Sequence, residues 1–387
     1  MPTSTKSPSG SVPRRPTRVA VVGMGWAGRS IWLPRLSRHA AYELVAAVDP
    51  APEARAAAAE TGLAPRVLGD PDELTPETVD LVVVAVPNHL HAPVACRLLA
   101  RGLAVFVEKP VCLTPAEAEQ LAAAEAAGGG TLLAGSAARY RADVAALHEQ
   151  AASLGRLRHI GLSWVRASGV PVGAGWFTQR ALAGGGALVD LGWHLLDTAL
   201  PLLGEPDFAQ VAGSVSDDFV NDRARRAAWR AGDGAAARHS DVEDTARAFL
   251  VTSGGVAVSL LASWASHERY DATTIRVEGS AGVASLRCTF GFSPHREAGP
   301  ELTVRRNGDV EAIALPEEPV GAEYVRQLDA LPGLLADPAS RGAAMAEIRA
   351  VIGAIHRCYA SKPAAEERPP VPAGKSARRR GGKEPQR

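Results

Sequence analysis

The sequence predicts an α/β chain in two parts: a doubly wound parallel sheet, then an α+β unit with a largely antiparallel, open-faced sheet. Three observations carry that prediction. Short apolar runs alternate with helical patterns over the first third of the chain, a glycine-rich turn follows the first run, and beyond residue 245 apolar runs recur at hairpin spacing. The length agrees, because 387 residues exceed the roughly 250–300 that one hydrophobic core serves. A hydrophobic fraction of 46% is enough for two cores.

Taken in order, residues 1–16 are rich in Ser, Thr and Pro and are expected to be a disordered tail. Arg18-Val19-Ala20-Val21-Val22 reads as a buried strand, and Gly23-Met24-Gly25-Trp26-Ala27-Gly28 follows at once. Gly23 permits a tight turn, Gly25 lets backbone approach a diphosphate, and Gly28 lets the next helix sit close to the strand. With Trp26 and Ala27 between them, these glycines form the expected diphosphate cradle at a helix N-terminus. The next run, 42–48, ends in Asp49, about twenty residues after the last glycine, where a carboxylate binds adenosine ribose hydroxyls. That is the Rossmann dinucleotide-binding pattern. Asp49 accepts from a free 2′-OH and repels a 2′-phosphate, so NAD is the expected cofactor and NADP the alternative. Arg55 is read as a solvated residue of a helix over 52–60.

Residues 80–86 read as a fully buried parallel strand ending in Pro87-Asn88-His89-Leu90-His91. A helix over 92–101 leads to the run 104–107 and then Glu108-Lys109-Pro110. In open α/β sheets ligands bind beyond the carboxyl ends of the strands. Pro87, Asn88, His91, Glu108 and Lys109 therefore join the cofactor-binding candidates. A lysine so placed can donate to a substrate hydroxyl and steady the alkoxide that forms as hydride leaves.

Residues 17–138 make up this domain and 139–361 the second. The second is expected to hold a helix over 139–153, a strand over 159–165, runs at 246–252, 256–266, 273–279, 283–288, 301–306 and 310–314, and helices over 321–335 and 340–358. Its most informative segment is Gly184-Gly185-Gly186-Ala187-Leu188-Val189-Asp190-Leu191-Gly192-Trp193-His194. Asp190 and His194 are four residues apart and share a helical face, which Asp197 extends. Histidine suits proton acceptance near neutral pH, and a carboxylate can orient it. The tail 362–387, rich in Pro, Arg and Gly, is expected to be disordered.

Gly23-x-Gly25-x-x-Gly28, Pro87-Asn88-His89-Leu90-His91, Glu108-Lys109-Pro110 and Gly184-Gly185-Gly186-x-x-x-Asp190-x-Gly192-x-His194 occur in familiar order and separation. Together they resemble the glucose-fructose oxidoreductase/inositol dehydrogenase (Gfo/Idh/MocA) family over roughly residues 17–361. The resemblance implies that Lys109, Asp190 and His194 form the catalytic constellation and that the Lys109–Pro110 bond is cis. It also implies a homodimer or homotetramer assembled through the open sheet face. One departure is that Trp176 is followed by Phe177 where many members carry arginine. Arg139-Tyr140-Arg141 resembles the segment that faces cofactor or substrate at the domain junction. Arg139, Trp176 and Asp197 are therefore further substrate-binding candidates.

Composition removes several other classes. Formal net charge is zero, which gives no electrostatic case for nucleic acid or an anionic membrane surface. The four cysteines, Cys96, Cys112, Cys288 and Cys358, lack metal spacing and fit a reducing cytoplasm, so no metal is expected and the location is expected to be cytoplasmic. No apolar run approaches the ~20 residues of a membrane span. An Arg/Trp-bearing stretch at 221–239 reads as a surface insertion, with contact to a bulky or anionic substrate as its functional alternative. The expected activity is hydride transfer between NAD(P) and a secondary alcohol or ketone of a polyhydroxylated small molecule: a sugar, cyclitol or sugar derivative. The Ala/Gly/Arg-heavy composition suggests a high-GC bacterium, in which antibiotic biosynthesis, with a sugar nucleotide or aminoglycoside as substrate, is the expected setting. The reading from another class is a non-catalytic, dinucleotide-sensing regulator of the same fold. Such regulators can lose the lysine and histidine, and this chain keeps both.

Overall fold

The computed structural model describes residues 15–171, 175–204, 207–227 and 239–361. Apart from Arg15 and Pro16, both expected tails lie outside the described residues, as does the middle of the 221–239 insertion with Trp229.

β1 (Thr17–Val22) leads through the glycine turn into a π-helical segment, Ala27–Trp32, continued by α1 (Leu33–Leu36). Then follow β2 (Tyr42–Val48), α2 (Pro52–Glu60), β3 (Val67–Leu68), β4 (Leu81–Val84), α3 (His91–Ala100), β5 (Val105–Val107), α4 (Pro115–Gly128) and β6 (Leu132–Ala134). All strands pair in parallel, in the order β3-β2-β1-β4-β5-β6. The order reverses between β1 and β4, which opens a crevice at their carboxyl ends. Helices cover both faces, so the four residues of β4 are all buried and all apolar.

The second unit contains α5 (Ala142–Ala151), β7 (Leu157–Val165) and α6 (Arg180–Ala183). A π-helical turn, Leu188–Gly192, then runs into α7 (Trp193–Leu203). After it come β8 (Phe208–Ser216), β9 (Thr245–Thr252), β10 (Ala257–Ser263), β11 (Ala272–Gly279), β12 (Val283–Cys288), β13 (Glu301–Arg306) and β14 (Asp309–Ile313). The chain of elements ends with α8 (Ala322–Ala336) and α9 (Ala344–Ala360). Sheet order is β14-β13-β12-β11-β7-β10-β9-β8, antiparallel except for the β7–β10 pair. Helices α5, α7 and α9 pack on one face. The other face carries Gly161, Ser259 and Phe249 in register, with Phe249 50% exposed.

Two boundaries and one unexpected strand differ from the sequence reading for identifiable reasons. The helix expected over 139–153 begins only at Ala142, because Arg141 takes an extended conformation after a short 3-10 turn, Ala137–Tyr140. The last helix begins at Ala344 and not at 340, because Gly342 takes a positive φ of 78° after a separate turn, Pro338–Ser340. The edge strand β8 escapes notice in the sequence because its small Ala, Gly and Ser residues bury little surface.

The division at residue 138 follows the chain but not the packing. Helix α8 returns to the first domain, where Leu328 and Leu331 are buried with Val19, Val21, Trp32 and Phe106. The Tyr42 hydroxyl donates to the Leu328 carbonyl at 2.6 Å. Among the described residues no helix is long and apolar enough to cross a membrane.

Candidate active site

The glycine turn has the shape its residues demand. Gly23 takes φ +100°, and a Cβ there would lie 2.5 Å from the Ala85 carbonyl oxygen. A Cβ on Gly28 would lie 2.0 Å from the Gly23 carbonyl oxygen, so the helix start presses directly on the turn. Gly25 meets nothing within 4 Å, which leaves its backbone open to an incoming diphosphate. Trp26, 40% exposed, stands beside this opening with its ring edge-on to Phe292 at 5.8 Å. Ala27 opens the helix. Asp49 accepts hydrogen bonds from the backbone N–H of Met24 at 2.8 Å and of Ala51 at 2.9 Å, which fixes its carboxylate beside the turn. Arg55 does not swing free as a solvated side chain: it donates to the carbonyls of Asp49 and Pro50 at 3.0 and 2.8 Å. These residues fit a dinucleotide with an unmodified adenosine ribose.

Across the crevice, β5 ends in Glu108 and Lys109, and the Lys109–Pro110 bond is cis. Lys109 Nζ lies 2.6 Å from Asp190 Oδ1. The other carboxylate oxygen, Oδ2, accepts from the indole N–H of Trp264 at 2.9 Å. Lys109 and Asp190 are thus brought together from two domains, 81 residues apart. Asp190 sits in the π-helical turn and His194 in the first turn of α7, so they are successive residues on one side of a single helical rod. The His194 ring packs on Trp164, centroids 5.7 Å apart. Burial, then the neighbouring Lys109 charge, pushes the imidazole down to about 3. The ring is therefore held neutral, and able to accept a proton, across the physiological range.

Glu108 is clamped, with Oε1 accepting from Trp32 Nε1 and Oε2 from the Lys109 N–H, both at 3.0 Å. Pro87 turns the chain after β4 and precedes a short helical turn, Asn88–Leu90. Asn88 is buried and donates to the Ala183 carbonyl at 3.0 Å. His91 is 1% exposed, with Nδ1 2.7 Å from the Pro110 carbonyl and Nε2 2.8 Å from the Val86 carbonyl. It ties the two strand-end loops from behind, where the sequence reading had placed it against the cofactor. Burial pushes its imidazole down to about 4, although both carbonyls favour the charged ring.

The further substrate candidates divide. Arg139 and Asp197 engage each other: Nη2 lies 2.7 Å from Asp197 Oδ1, Nε donates to the Asp197 carbonyl at 2.8 Å, and Nη1 reaches Glu347 at 2.7 Å. Ser136 also donates to Asp197 Oδ1 at 3.1 Å. Their charges are spent at the domain junction, so the face shared by Asp190 and His194 does not extend to Asp197 as a ligand surface. Trp176 stays near the site, its ring 5.1 Å from Phe177, which in turn lies 6.0 Å from Trp264. In the insertion, Arg225 donates to the Ser266 carbonyl at 2.6 Å and covers the Phe219 ring, which suits a surface loop.

Trp264 went unnoticed in the sequence, hidden at the end of an apolar strand. A stronger signal for Lys109 was also available: it is the only lysine between residues 7 and 361 of a chain rich in arginine. Arginine replaces lysine wherever a solvated cation suffices, whereas a compact ammonium is needed at one place. Among the described residues no group of His, Cys, Asp or Glu is arranged to hold a metal ion.

Comparison with known proteins bears on the fold and the family. Residues 17–136 match the family profile described as "Oxidoreductase family, NAD-binding Rossmann fold", and residues 147–285 match "GFO/IDH/MocA C-terminal domain". The chain is 57% identical over 357 residues, 92% of its length and 99% of the relative's, to a protein of Amycolatopsis mediterranei (strain S699) assigned by name as a UDP-kanosamine synthase oxidoreductase subunit. It is 34% identical over 195 residues to D-glucoside 3-dehydrogenase of Escherichia coli (strain K12), covering 49% of this chain and 55% of that protein. The crystal structure of GenD2 from gentamicin A biosynthesis, in complex with NAD, superposes with a TM-score of 0.70 at 27% identity, covering 92% and 97% of the two chains.

Proposed function

The chain belongs to the Gfo/Idh/MocA oxidoreductase family, and from that premise we propose that it oxidises the C3 hydroxyl of a nucleotide-linked glucose with NAD. The observation that carries this reading is the 2.6 Å Lys109–Asp190 pair beside His194 at the carboxyl end of the parallel sheet. Kanosamine carries its amine on C3, and the glucoside dehydrogenase acts at position 3, so both relatives point to the same carbon. An amine replaces a hydroxyl most directly through the ketone, which makes 3-keto formation the step that an oxidoreductase supplies.

The turn from Gly23 to Gly28 and Asp49 would hold NAD, which when bound supplies a carbon that accepts hydride from C3. His194, held neutral, takes the hydroxyl proton as the C3–H electrons leave. Lys109 donates a hydrogen bond to the same oxygen and steadies its growing negative charge. Asp190 aims Lys109, and Trp264 aims Asp190. The uncovered sheet face with Phe249 is where we place self-association into a dimer or tetramer. The regulator alternative is disfavoured because all three polar side chains are kept and are packed into one site.

The test is NADH formation at 340 nm with UDP-glucose, free glucose and myo-inositol, with semicarbazide present to trap the ketone. Turnover of UDP-glucose alone, with the semicarbazone of the trapped product placed at C3 by NMR and mass spectrometry, supports the proposal. Turnover of myo-inositol alone moves the substrate to free cyclitols. NAD binding without turnover of any polyol returns the regulator reading.

A further inference from the structure

The triple glycine ahead of Asp190 is shaped to partners from distant parts of the chain. Glu243 is 4% exposed, and its Oε1 accepts hydrogen bonds from the backbone N–H of Gly186 and of Leu188, both at 3.0 Å, and from the Tyr359 hydroxyl at 2.7 Å. The Glu243 carbonyl accepts from the Ala187 N–H at 3.1 Å. A Cβ on Gly186 would lie 1.8 Å from that carbonyl oxygen, and one on Gly185 would lie 2.0 Å from the Tyr359 hydroxyl. The chain is bare at Gly185 and Gly186 because Glu243 and Tyr359 occupy the space that side chains would take.

The first N–H groups of a helix lack intrahelical partners, and its N-terminal end favours negative charge. Glu243 supplies both an acceptor and a carboxylate there. Its burial gives up hydration, which is tolerable only because donors converge on it. Arg180 adds a cation 3.8 Å from Oε2.

The next residue completes the arrangement. The Asp244 carbonyl accepts from the Trp264 backbone N–H at 2.8 Å, and the Trp264 indole holds Asp190 Oδ2 at 2.9 Å. One dipeptide at the entry to β9 therefore fixes where the helical rod begins and where the donor to its carboxylate stands.

We infer that Glu243, seated with Tyr359 against Gly185 and Gly186, is a positioning residue that sets the Asp190/His194 rod in register with Lys109. For its kinetic consequence the inference rests on the catalytic reading given above. Two readouts on the full-length protein separate them: kcat and KM with UDP-glucose and NAD, and the rate at which an acylating reagent modifies Lys109, followed by peptide mass. In Glu243→Gln, kcat should fall about 10- to 100-fold and in Tyr359→Phe about three- to tenfold, with KM within about threefold of wild type. Lys109 should be acylated at least about fivefold faster in both, as its pairing with Asp190 loosens. General loosening of the fold would raise KM and lower the melting temperature together. Unchanged kcat and unchanged Lys109 acylation in a folded variant would overturn the positioning role. If wild type does not oxidise UDP-glucose, the substrate reading fails, and Lys109 acylation alone decides: faster modification supports the role and an unchanged rate overturns it. If Glu243→Gln does not fold, Tyr359→Phe, which removes one oxygen, decides by the same criteria.

Discussion

Trp264 donates its indole N–H to Asp190 Oδ2 at 2.9 Å, while Lys109 holds Oδ1 at 2.6 Å. The carboxylate is gripped at both oxygens, so neither its rotation nor its charge is left to solvent. Trp264→Phe keeps the ring and removes the donor. Leaving a buried carboxylate oxygen one partner short costs about 1–3 kcal/mol, so kcat should fall roughly 5- to 150-fold with NAD affinity retained. Steady-state kinetics together with NAD titration will check this, and unchanged kcat would mean that Lys109 alone orients Asp190.

Lys109→Met and His194→Ala should each lower kcat by roughly two to four orders of magnitude, the usual worth of a positioned acid/base group or an oxyanion donor. The double variant should fall short of the product of the two, because the residues act as a unit. If His194→Ala turned over near the wild-type rate between pH 6 and 9, the base would have to be sought elsewhere.

The neutral His194 ring also governs pH dependence. A histidine lowered to about 3 stays deprotonated, and so able to accept a proton, well below the ordinary histidine range. The profile of kcat/KM between pH 5 and 8 should therefore show no inflection near 6.5 that disappears in His194→Gln. Such an inflection would place the imidazole in water and not against Trp164.

His91 makes the corresponding statement about stability. Its folded value, about 4, lies below the unfolded value near 6.5, so between these limits the unfolded chain binds a proton that the folded chain refuses. The stability it contributes is complete above pH 6.5 and is lost as pH falls toward 4. Urea midpoints of wild type and His91→Asn should diverge as pH rises from 4.5 to 6.5 and run parallel above. A gap that narrows with rising pH would show that the two carbonyls hold the ring charged.

The glycine turn separates binding from folding. Gly25→Ala should melt like wild type, since its Cβ meets nothing, yet lose NAD affinity at least about tenfold by blocking the diphosphate. Gly28→Ala should be strongly destabilised, because its Cβ collides with backbone that cannot move aside. Asp49→Ala should bind NAD more weakly and narrow its preference over NADP. Calorimetric titration with both cofactors will decide, and tighter binding of NADP by wild type would give Arg55 the controlling role.

The parts legible in the sequence are those whose signal is local. The strand, glycine turn and Asp49 follow one another within a short stretch, and each has one physical explanation. Lys109, Asp190 and His194 were legible as residues of the right kind, and their resemblance to a family gave them one site. What the sequence did not disclose depends on contacts across the chain. Trp264 looks like core, Glu243 looks like one of many acids, and His91 looks like a ligand until both its nitrogens are found facing carbonyls. The three glycines were visible as a run, but the reason for two of them, Gly186 and Gly185, lies in Glu243 and Tyr359, 57 and 174 residues away.

The return of α8 to the first domain, with Leu328 and Leu331 sealed under β1 and β5, has a bearing on how this protein can be recombined. The packing unit is discontinuous: the parallel sheet with its helices, matched by the family profile over residues 17–136, together with the helix near the far end of the chain. A chimera spliced only at residue 138 would borrow a cofactor domain and leave its lid behind, fitted to a different parent. Exchange of α8 in the same step keeps lid and seat matched, so cofactor-swapping designs have two crossover regions to place, not one.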